Sequence, residues 1–153
     1  MKKCLTVFLA LAVLAAAAPV WAADTNTLTV SASVTGTCKF YSATSTLAFG
    51  NLDPAAVTDA TASATTAFWC TKGVTTDLIT AGNGLHFSTS RRMQGPAVTD
   101  FIPYSLTLTP DLAANNGPTA PRTLTIGGTI LNADYANASA GAYSDTVTLT
   151  INP

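Results

Sequence analysis

The sequence predicts an all-β fold, an antiparallel β-sandwich built from short strands. The eight acidic residues are all Asp, and straight-chain helix formers are scarce along the chain. Small, β-tolerant side chains alternate with apolar ones in several stretches. Turn-forming residues, among them ten Gly and eight Pro, separate these stretches at short intervals.

The clearest alternation lies at residues 27–36, where apolar side chains take turns with Thr and Ser. The apolar positions are Leu28, Val30, Ala32 and Val34. Because side chains of a strand point alternately to its two faces, this stretch has one apolar and one hydroxyl face. The periodicity predicts a strand and leaves open whose sheet that strand joins.

Residues 1–22 are predicted to be a cleaved signal peptide. Lys2 and Lys3 precede an apolar run at residues 5–18, and Ala22 offers a small side chain at the cleavage position. A retained membrane anchor is the alternative, but the run is shorter than the roughly 20 residues that a spanning helix needs. Cleavage after Ala22 places the first predicted strand close to the new N-terminus.

Removal of the signal peptide also removes Cys4 and leaves Cys38 and Cys70. An exported protein meets an oxidising compartment, so these two residues most simply form one disulfide bond, worth roughly 3.5–4 kcal/mol through loop closure. Two separate buried thiols are the alternative. Two Cys and the single histidine, His86, are too few ligands for a metal site, and we expect no metal or other cofactor.

Further strands are predicted wherever apolar residues alternate or cluster between turns. They are residues 47–50, 67–70, 77–80, 85–88, 101–110, 122–126, 129–131 and 143–151. Residues 55–66 are low in bulk and suit either a loop or a weakly specified edge strand. We expect a polar connection at residues 90–96, a break or bulge at Gly127 and Gly128, a solvent-facing His86, and no helix.

No arrangement of residues indicates catalysis. A catalytic His86 would need a nucleophile and an orienting acid, and the chain has no motif such as Gly-x-Ser-x-Gly. The scattered Asp residues suit caps and Asx-turns. The weakly negative net charge, −1, argues against binding to nucleic acid. We therefore expect a protein that is not an enzyme and has no small-molecule substrate.

A series of short motifs covers nearly the whole chain after residue 22. They are Val-Thr-Gly-Thr-Cys at 34–38, Phe-Gly-Asn-Leu at 49–52, Trp-Cys at 69–70, Arg-Arg-Met at 91–93, Ile-Pro-Tyr-Ser-Leu at 102–106 and Gly-Ala-Tyr-Ser-Asp-Thr-Val-Thr-Leu-Thr-Ile at 141–151. In this order they resemble the spore coat protein U domain family, which includes the Csu-type pilins of archaic chaperone–usher pili.

The resemblance implies an incomplete immunoglobulin-like sandwich at residues 37–153, which a donor strand from a neighbouring subunit completes. In such pilins a periplasmic chaperone first lends a strand to the open groove, and the N-terminal segment of the next subunit then replaces it. Residues 23–36 would be that donor segment. The resemblance assigns subunit binding to Leu28, Val30, Ala32 and Val34, and the family disulfide to Cys38 and Cys70. The small Ala32 would fill its pocket only shallowly.

The implied function is that of a pilus subunit for surface adhesion and biofilm formation, exported through the periplasm to the cell surface or secreted. Its implied partners are neighbouring pilin subunits, the periplasmic chaperone and an outer-membrane usher. Two alternatives stay open. One is a self-contained secreted or coat protein in which residues 28–34 join their own sandwich, and the other is a carbohydrate-binding adhesin module.

Overall fold

A computed structural model describes residues 21–75 and 78–153. Residues 1–20, which hold most of the predicted signal peptide, lie outside the described residues, as do residues 76–77. The chain divides into two units, Met1–Ser33 and Val34–Pro153. The described part of the first unit contains no strand or helix.

The second unit is almost entirely β-structure. Its elements are β1 (Cys38–Phe40), β2 (Ala60–Cys70), β3 (Leu78–Ala81), β4 (Arg91–Gln94), β5 (Phe101–Pro110), β6 (Arg122–Ile130), α1 (Asn132–Tyr135) and β7 (Leu149–Asn152). Five strands form one sheet in the order β1-β2-β6-β5-β4, and β3 pairs with β7 in a second sheet. Every pairing is antiparallel, which confirms the predicted all-β, sandwich-like fold.

The core of this unit contains two clusters of apolar side chains. In the larger cluster, Phe68 of β2 and Leu124 of β6 are fully buried and pack with Ile79 and Ile151 of the two-stranded sheet. The smaller cluster joins Ile102 of β5 and Ile130 of β6 to Tyr135 of α1. The two sheets thus enclose apolar side chains between them, as a sandwich requires.

Strand β5 has the predicted bounds and the predicted faces. Ile102 is buried and Leu106 and Leu108 are half-buried, whereas Ser105 and Thr107 between them are exposed. The strand pairs with β4 along its first part and with β6 along its second part. Strict alternation therefore identified a half-buried strand correctly.

Residues 55–66 contain both of the predicted possibilities. Residues 55–59 lie outside any strand, and from Ala60 onward the chain belongs to β2. Up to Thr66 this strand pairs with β6 along one edge only, because β1 pairs with residues 68–70. The same strand continues to Cys70 and so contains the compact strand predicted at residues 67–70. Small residues alternate in burial along its first half. Their side chains favour a strand only weakly, and the hydrogen-bonded ladder with β6 holds them in one.

The predicted break at Gly127 and Gly128 is wrong, because β6 runs through both residues without interruption. Gly127 lies opposite Ser63 of β2 and Thr107 of β5, and ladders on both edges hold the strand straight across the glycines. A side chain at Gly127 would collide with the Thr107 hydroxyl, so the glycine permits close packing here.

Three expectations between residues 85 and 96 are also wrong. Residues 85–88 form no strand, because Leu85 N donates to a carboxylate and the chain turns back on itself. His86 is half-buried, with its ring centroid 6.2 Å from that of Phe101, rather than facing solvent. Residues 91–94, expected as a polar connection, form β4 instead.

The arginines of β4 explain why a polar sequence becomes a strand. Arg91 donates from Nε to Gly82 O and from Nη2 to Ala81 O, both at 2.8 Å. Arg92 donates to His86 O at 2.9 Å, and its guanidinium carbon lies 4.0 Å from the centroid of the Phe101 ring. The two arginine side chains thus bind backbone carbonyl groups and an aromatic ring of the same fold, and these contacts stabilise β4.

Three further expectations need correction at the ends of the sheets. Residues 47–50 form no strand, although Leu47 and Phe49 pack into the core. Of the strand predicted at residues 143–151, only Leu149 and its successors form a continuous ladder. Residues 132–135 form the single-turn helix α1, where the sequence predicted none.

Candidate functional site

Residues 143–149, here called the late rim, precede and enter β7 and have partners along one edge. Ser144 and Gln94 exchange both backbone hydrogen bonds, at 2.9 and 3.0 Å. Farther along, Gly82 N donates to Thr148 O at 2.8 Å. The even-numbered residues of the late rim therefore direct their backbone groups toward β3 and β4.

The odd-numbered residues of the late rim direct their backbone groups to the opposite edge, because successive residues of a strand alternate. Asp145 and Val147 thus offer N–H and C=O groups along an edge where no strand of residues 21–75 or 78–153 lies. The same residues turn their side chains inward and are half-buried. An unpaired edge above inward side chains is a site for strand addition.

The early rim, residues 42–49, follows β1 and faces the late rim. It contains no strand, and side-chain packing holds it in place instead. A Cβ atom added to Gly128 would lie 2.7 Å from both Leu47 Cδ2 and Phe49 Cζ. The missing side chain of Gly128 therefore makes room for the two apolar side chains of the early rim.

A cavity of about 610 Å³ lies between the early and late rims. Thr66 of β2, Leu106 of β5 and Ile126 of β6 contribute to its lining. Inward side chains of a closed sandwich are normally packed without gaps. Here Leu106, Val147 and Leu149 remain only half-buried, so the apolar interior is open between the rims.

A second cavity, of about 740 Å³, adjoins the first. It lies between residues 47–52 and 138–143. Four residues line both cavities: Leu47, Phe49, Met93 and Tyr143. We call the two adjoining cavities together the groove.

The lining of the groove includes several Ser and Thr residues and one hydrogen-bonded pair with a carboxylate. Tyr104 of β5 donates its hydroxyl proton to Asp145 Oδ2 at 2.6 Å, and Leu85 N donates to Asp145 Oδ1 at 2.9 Å. Burial, together with the hydrogen bond to Asp145, raises the pKa of the Tyr104 phenol above its usual range. The phenol therefore stays protonated at neutral pH and remains a donor to the carboxylate.

The disulfide bond joins Cys38 of β1 to Cys70 of β2, which confirms the predicted pairing. The two residues are direct register partners in the antiparallel ladder. The bond therefore fixes the start of the five-stranded sheet next to the point where the early rim leaves β1.

An ion pair stabilises the start of β6. Arg122, which is 7% exposed, donates from Nε to Asp111 Oδ1 at 2.8 Å and from Nη1 to Asn115 Oδ1 at 3.1 Å. Its guanidinium carbon lies 5.0 Å from the centroid of the Phe68 ring. The hydrogen bond from Arg122 and the one from Thr123 N lower the pKa of Asp111 below its usual range.

The four side chains predicted to bind a neighbouring subunit lie outside every strand of the structure. Leu28, Val30 and Val34 are 83%, 82% and 84% exposed, and Ala32 is exposed as well. A run of exposed large apolar side chains is unusual for a soluble protein and marks an interaction surface. Their role in subunit binding stays a prediction.

The described ranges contain neither a cluster of metal ligands nor a helix that could span a membrane. Across residues 21–75 and 78–153, no three His, Cys, Asp or Glu side chains come together as a set of metal ligands. Over the same ranges, no helix has the length and apolar character to cross a membrane.

Sequence reasoning missed the Tyr104–Asp145 pair, although the sequence contained a signal. Asp145 occupies an inward position between Tyr143 and Val147 in an otherwise apolar series. A carboxylate at such a position needs hydrogen-bond donors from the facing sheet, because burial without them is costly. Tyr104, inward on the best-predicted strand, was the available donor.

Comparison with known proteins agrees with the architecture. No curated protein matches the chain significantly. The family model of the Spore Coat Protein U domain matches residues 24–150. This family comprises structural, pilin-type subunits of the cell surface that assemble with other subunits, rather than enzymes. The chain therefore belongs to the Spore Coat Protein U domain family.

Proposed function

From membership of this family, we propose that the protein is a structural subunit of an archaic chaperone–usher pilus that polymerises by donor-strand exchange. Residues 23–36 of one subunit are the donor segment, and the groove of the next subunit accepts it. The resulting fibre serves surface adhesion and biofilm formation.

The groove is the observation that carries this proposal. It combines an apolar floor with an unpaired strand edge at Asp145 and Val147. An extended peptide added there gains backbone hydrogen bonds along the edge, and its alternate side chains enter the cavity. Residues 27–36 have the required pattern, with Leu28 and Val30 among the apolar positions and hydroxyl side chains between them.

The exposure of the donor side chains supports the same function. Leu28, Val30 and Val34 each leave more than four-fifths of their surface accessible. A self-contained sandwich would instead pair residues 28–34 in one of its own sheets, and the structure assigns them to no strand. An unfilled groove and an exposed apolar segment outside any strand both support an intermolecular contact.

The open groove accounts for the remaining partners. Half-buried apolar side chains beside an unpaired edge invite aggregation, so a free subunit needs a cover during export. A periplasmic chaperone supplies that cover by lending a strand, and the outer-membrane usher is where the next subunit replaces it. The route requires cleavage of the signal peptide, residues 1–22, so that the donor segment lies at a free N-terminus.

The experiment compares the mature chain, residues 23–153, with a variant that lacks residues 25–34. We expect the mature chain to form polymers, measured by size-exclusion chromatography and electron microscopy. The shortened variant should remain unassembled, because it has a groove but no donor. A synthetic peptide of residues 25–34, or the chaperone, should raise the thermal midpoint of the variant by filling its groove.

A scrambled peptide of the same composition is the control, because it removes the alternation and keeps the hydrophobicity. If the shortened variant is stable alone and neither the peptide nor a chaperone alters its thermal midpoint, donor-strand exchange is wrong. The self-contained sandwich then becomes the better description.

A further inference from the structure

The hydrogen-bonded pair of Tyr104 and Asp145 divides the apolar groove. The Tyr104 hydroxyl reaches across from β5 to the late rim, and the carboxylate also accepts from Leu85 N. Both side chains belong to the lining of the 610 Å³ cavity. At this point the groove contains a hydrogen-bonded carboxylate, whereas the other inward residues of the late rim, Tyr143, Val147 and Leu149, present aromatic or aliphatic side chains.

The dimensions of the two partners match. The late rim contributes every residue from 143 to 149 to the cavity lining. The donor positions run from Leu28 to Val34, a span of equal length. In both segments the alternate residues face inward, the odd ones in the late rim and the even ones in the donor. The donor segment can therefore pair with the whole late rim in either of two orientations, antiparallel or parallel.

The two directions place different side chains opposite Asp145. Antiparallel pairing sets Leu28 opposite Leu149 and brings Ala32 to Asp145. Parallel pairing sets Leu28 opposite Tyr143 and brings Val30 to Asp145. A branched apolar side chain at that point would crowd the carboxylate and strip water from it without offering a hydrogen bond.

We propose that the Tyr104–Asp145 pair sets the register of the donor strand by admitting only the small side chain of Ala32 opposite Asp145, an inference that rests on the proposed function. Val30 then lies opposite Val147, and Val34 lies opposite Tyr143. The smallest of the four donor residues thus lies opposite the one carboxylate among the inward residues of the late rim. Tyr104 and Asp145 are specificity-determining residues of the groove.

A cross-linking scan of the full mature chain tests this register without altering Tyr104 or Asp145. Each of four variants carries Val147→Cys together with one donor cysteine: Leu28→Cys, Val30→Cys, Ala32→Cys or Val34→Cys. Polymers are treated with a short bifunctional thiol reagent and separated under denaturing, non-reducing conditions. Directly opposite residues have Cβ atoms about 5 Å apart, and a shift of two residues adds roughly 7 Å along the strand.

We expect the Val30→Cys variant to give a ladder of covalent multimers and the other three to give about tenfold less product, because their reacting atoms lie too far apart. A dominant ladder from Ala32→Cys or Leu28→Cys would overturn the register and leave donor-strand exchange intact. Cross-linked monomers, or no product from any variant while the chain stays unassembled, would overturn both the register and the proposed function.

A second measurement tests the size requirement. Ala32→Leu should slow polymer formation by about tenfold, because it overpacks the position opposite Asp145. Ser31→Leu is the matched control, with the same side chain on the outward face of the donor. Combining Ala32→Leu with Asp145→Ala should restore most of the rate. Equal rates for Ala32→Leu and Ser31→Leu would contradict the size requirement.

Discussion

Two regions of the sandwich share an alternating residue pattern but differ in how far their inward side chains are buried. We call β6 and its neighbouring strands the closed side, and the late rim the open side. On the closed side, β6 has strands along both edges, and its inward residues Leu124 and Ile130 are 0% exposed. On the open side, the late rim alternates just as regularly but has partners along one edge, and Val147 and Leu149 stay half-buried. Alternation thus identifies a buried face, while the number of neighbouring strands decides how completely that face is covered.

We expect the largest effect from a substitution in the proposed donor segment, which would supply the missing neighbour of the open side. Val30→Asp should abolish polymer formation, because a carboxylate would enter an apolar cavity with no partner for its charge. Thr29→Asp is the matched control, since it places the same charge on the outward face one residue away. Polymer yield after purification, measured by size-exclusion chromatography, distinguishes the two variants.

The disulfide bond should remain intact in both donor variants, because Cys38 and Cys70 belong to the closed side. Mass spectrometry with and without reduction checks it. If Val30→Asp forms polymers at the yield of the unaltered chain, Val30 does not enter an apolar groove, and the prediction is wrong.

Removing the disulfide is the next largest expected change. A variant with both Cys38→Ala and Cys70→Ala should lose about 3.5 kcal/mol of unfolding free energy, because the unfolded chain regains the freedom of the closed loop. Urea unfolding of the subunit, followed by Trp69 fluorescence, measures this loss. An unchanged urea midpoint would mean that the ladder between β1 and β2 suffices without the bond.

A matched pair of leucines tests the difference between the two sides directly. Leu124→Ala on the closed side should cost about 3 kcal/mol, since the truncation leaves a cavity in a fully packed region. Leu106→Ala on the groove floor should cost about 1 kcal/mol in the free subunit, because Leu106 is only half-buried. Its cost should increase once a donor strand covers it.

Urea unfolding of the free subunit and thermal dissociation of the polymer measure the two states of each leucine variant. If Leu106→Ala destabilises both states equally, the donor strand does not cover the groove floor.

The smallest expected effect concerns the ion pair of the closed side. Because the folded-state pKa of Asp111 is lowered, its stabilisation is present above the ordinary aspartate pKa of about 3.9 and is lost as pH falls through the lowered value. The Asp111 side chain is 38% exposed, so we expect at most about 1 kcal/mol after solvent screening.

Urea unfolding of the unaltered chain and of Asp111→Asn between pH 3 and pH 7 tests this prediction. The difference in unfolding free energy between the two should be largest near neutral pH and shrink toward pH 3. A difference that is independent of pH would assign the effect to packing instead of charge.

The sequence predicted best those elements whose side chains decide the structure. Strand β5 was predicted at its observed bounds, because its apolar and hydroxyl residues alternate without exception between Tyr104 and Thr109. The disulfide followed from the exported context and two remaining cysteines. By contrast, the first half of β2 depends on its backbone ladder with β6, and Ala and Thr side chains alone did not specify it.

The errors near the groove have a different physical cause. Residues 143–148 carry a strand pattern but have only separate contacts, with Gln94 and Gly82, along one edge, and no strand of the described residues lies along the other. Residues 85–88 also carry a strand pattern, but Asp145 captures the N–H of Leu85. A single sequence does not reveal such long-range partners: the inward position of Asp145 indicated that it needs a donor, but only the structure identifies Tyr104 and Leu85 as its partners.

The position of the disulfide bears on how a fibre would withstand pulling. Tension along residues 27–36 of an inserted donor enters the folded unit just ahead of Cys38. The ladder of β1 contains only three residue pairs, and force applied at its end would peel them apart one after another. The covalent bond to Cys70 instead transmits the force into β2, the longest strand of the sheet. Within each subunit, tension would then pass from the proposed donor segment into β2 through a covalent bond rather than through a ladder of three residue pairs.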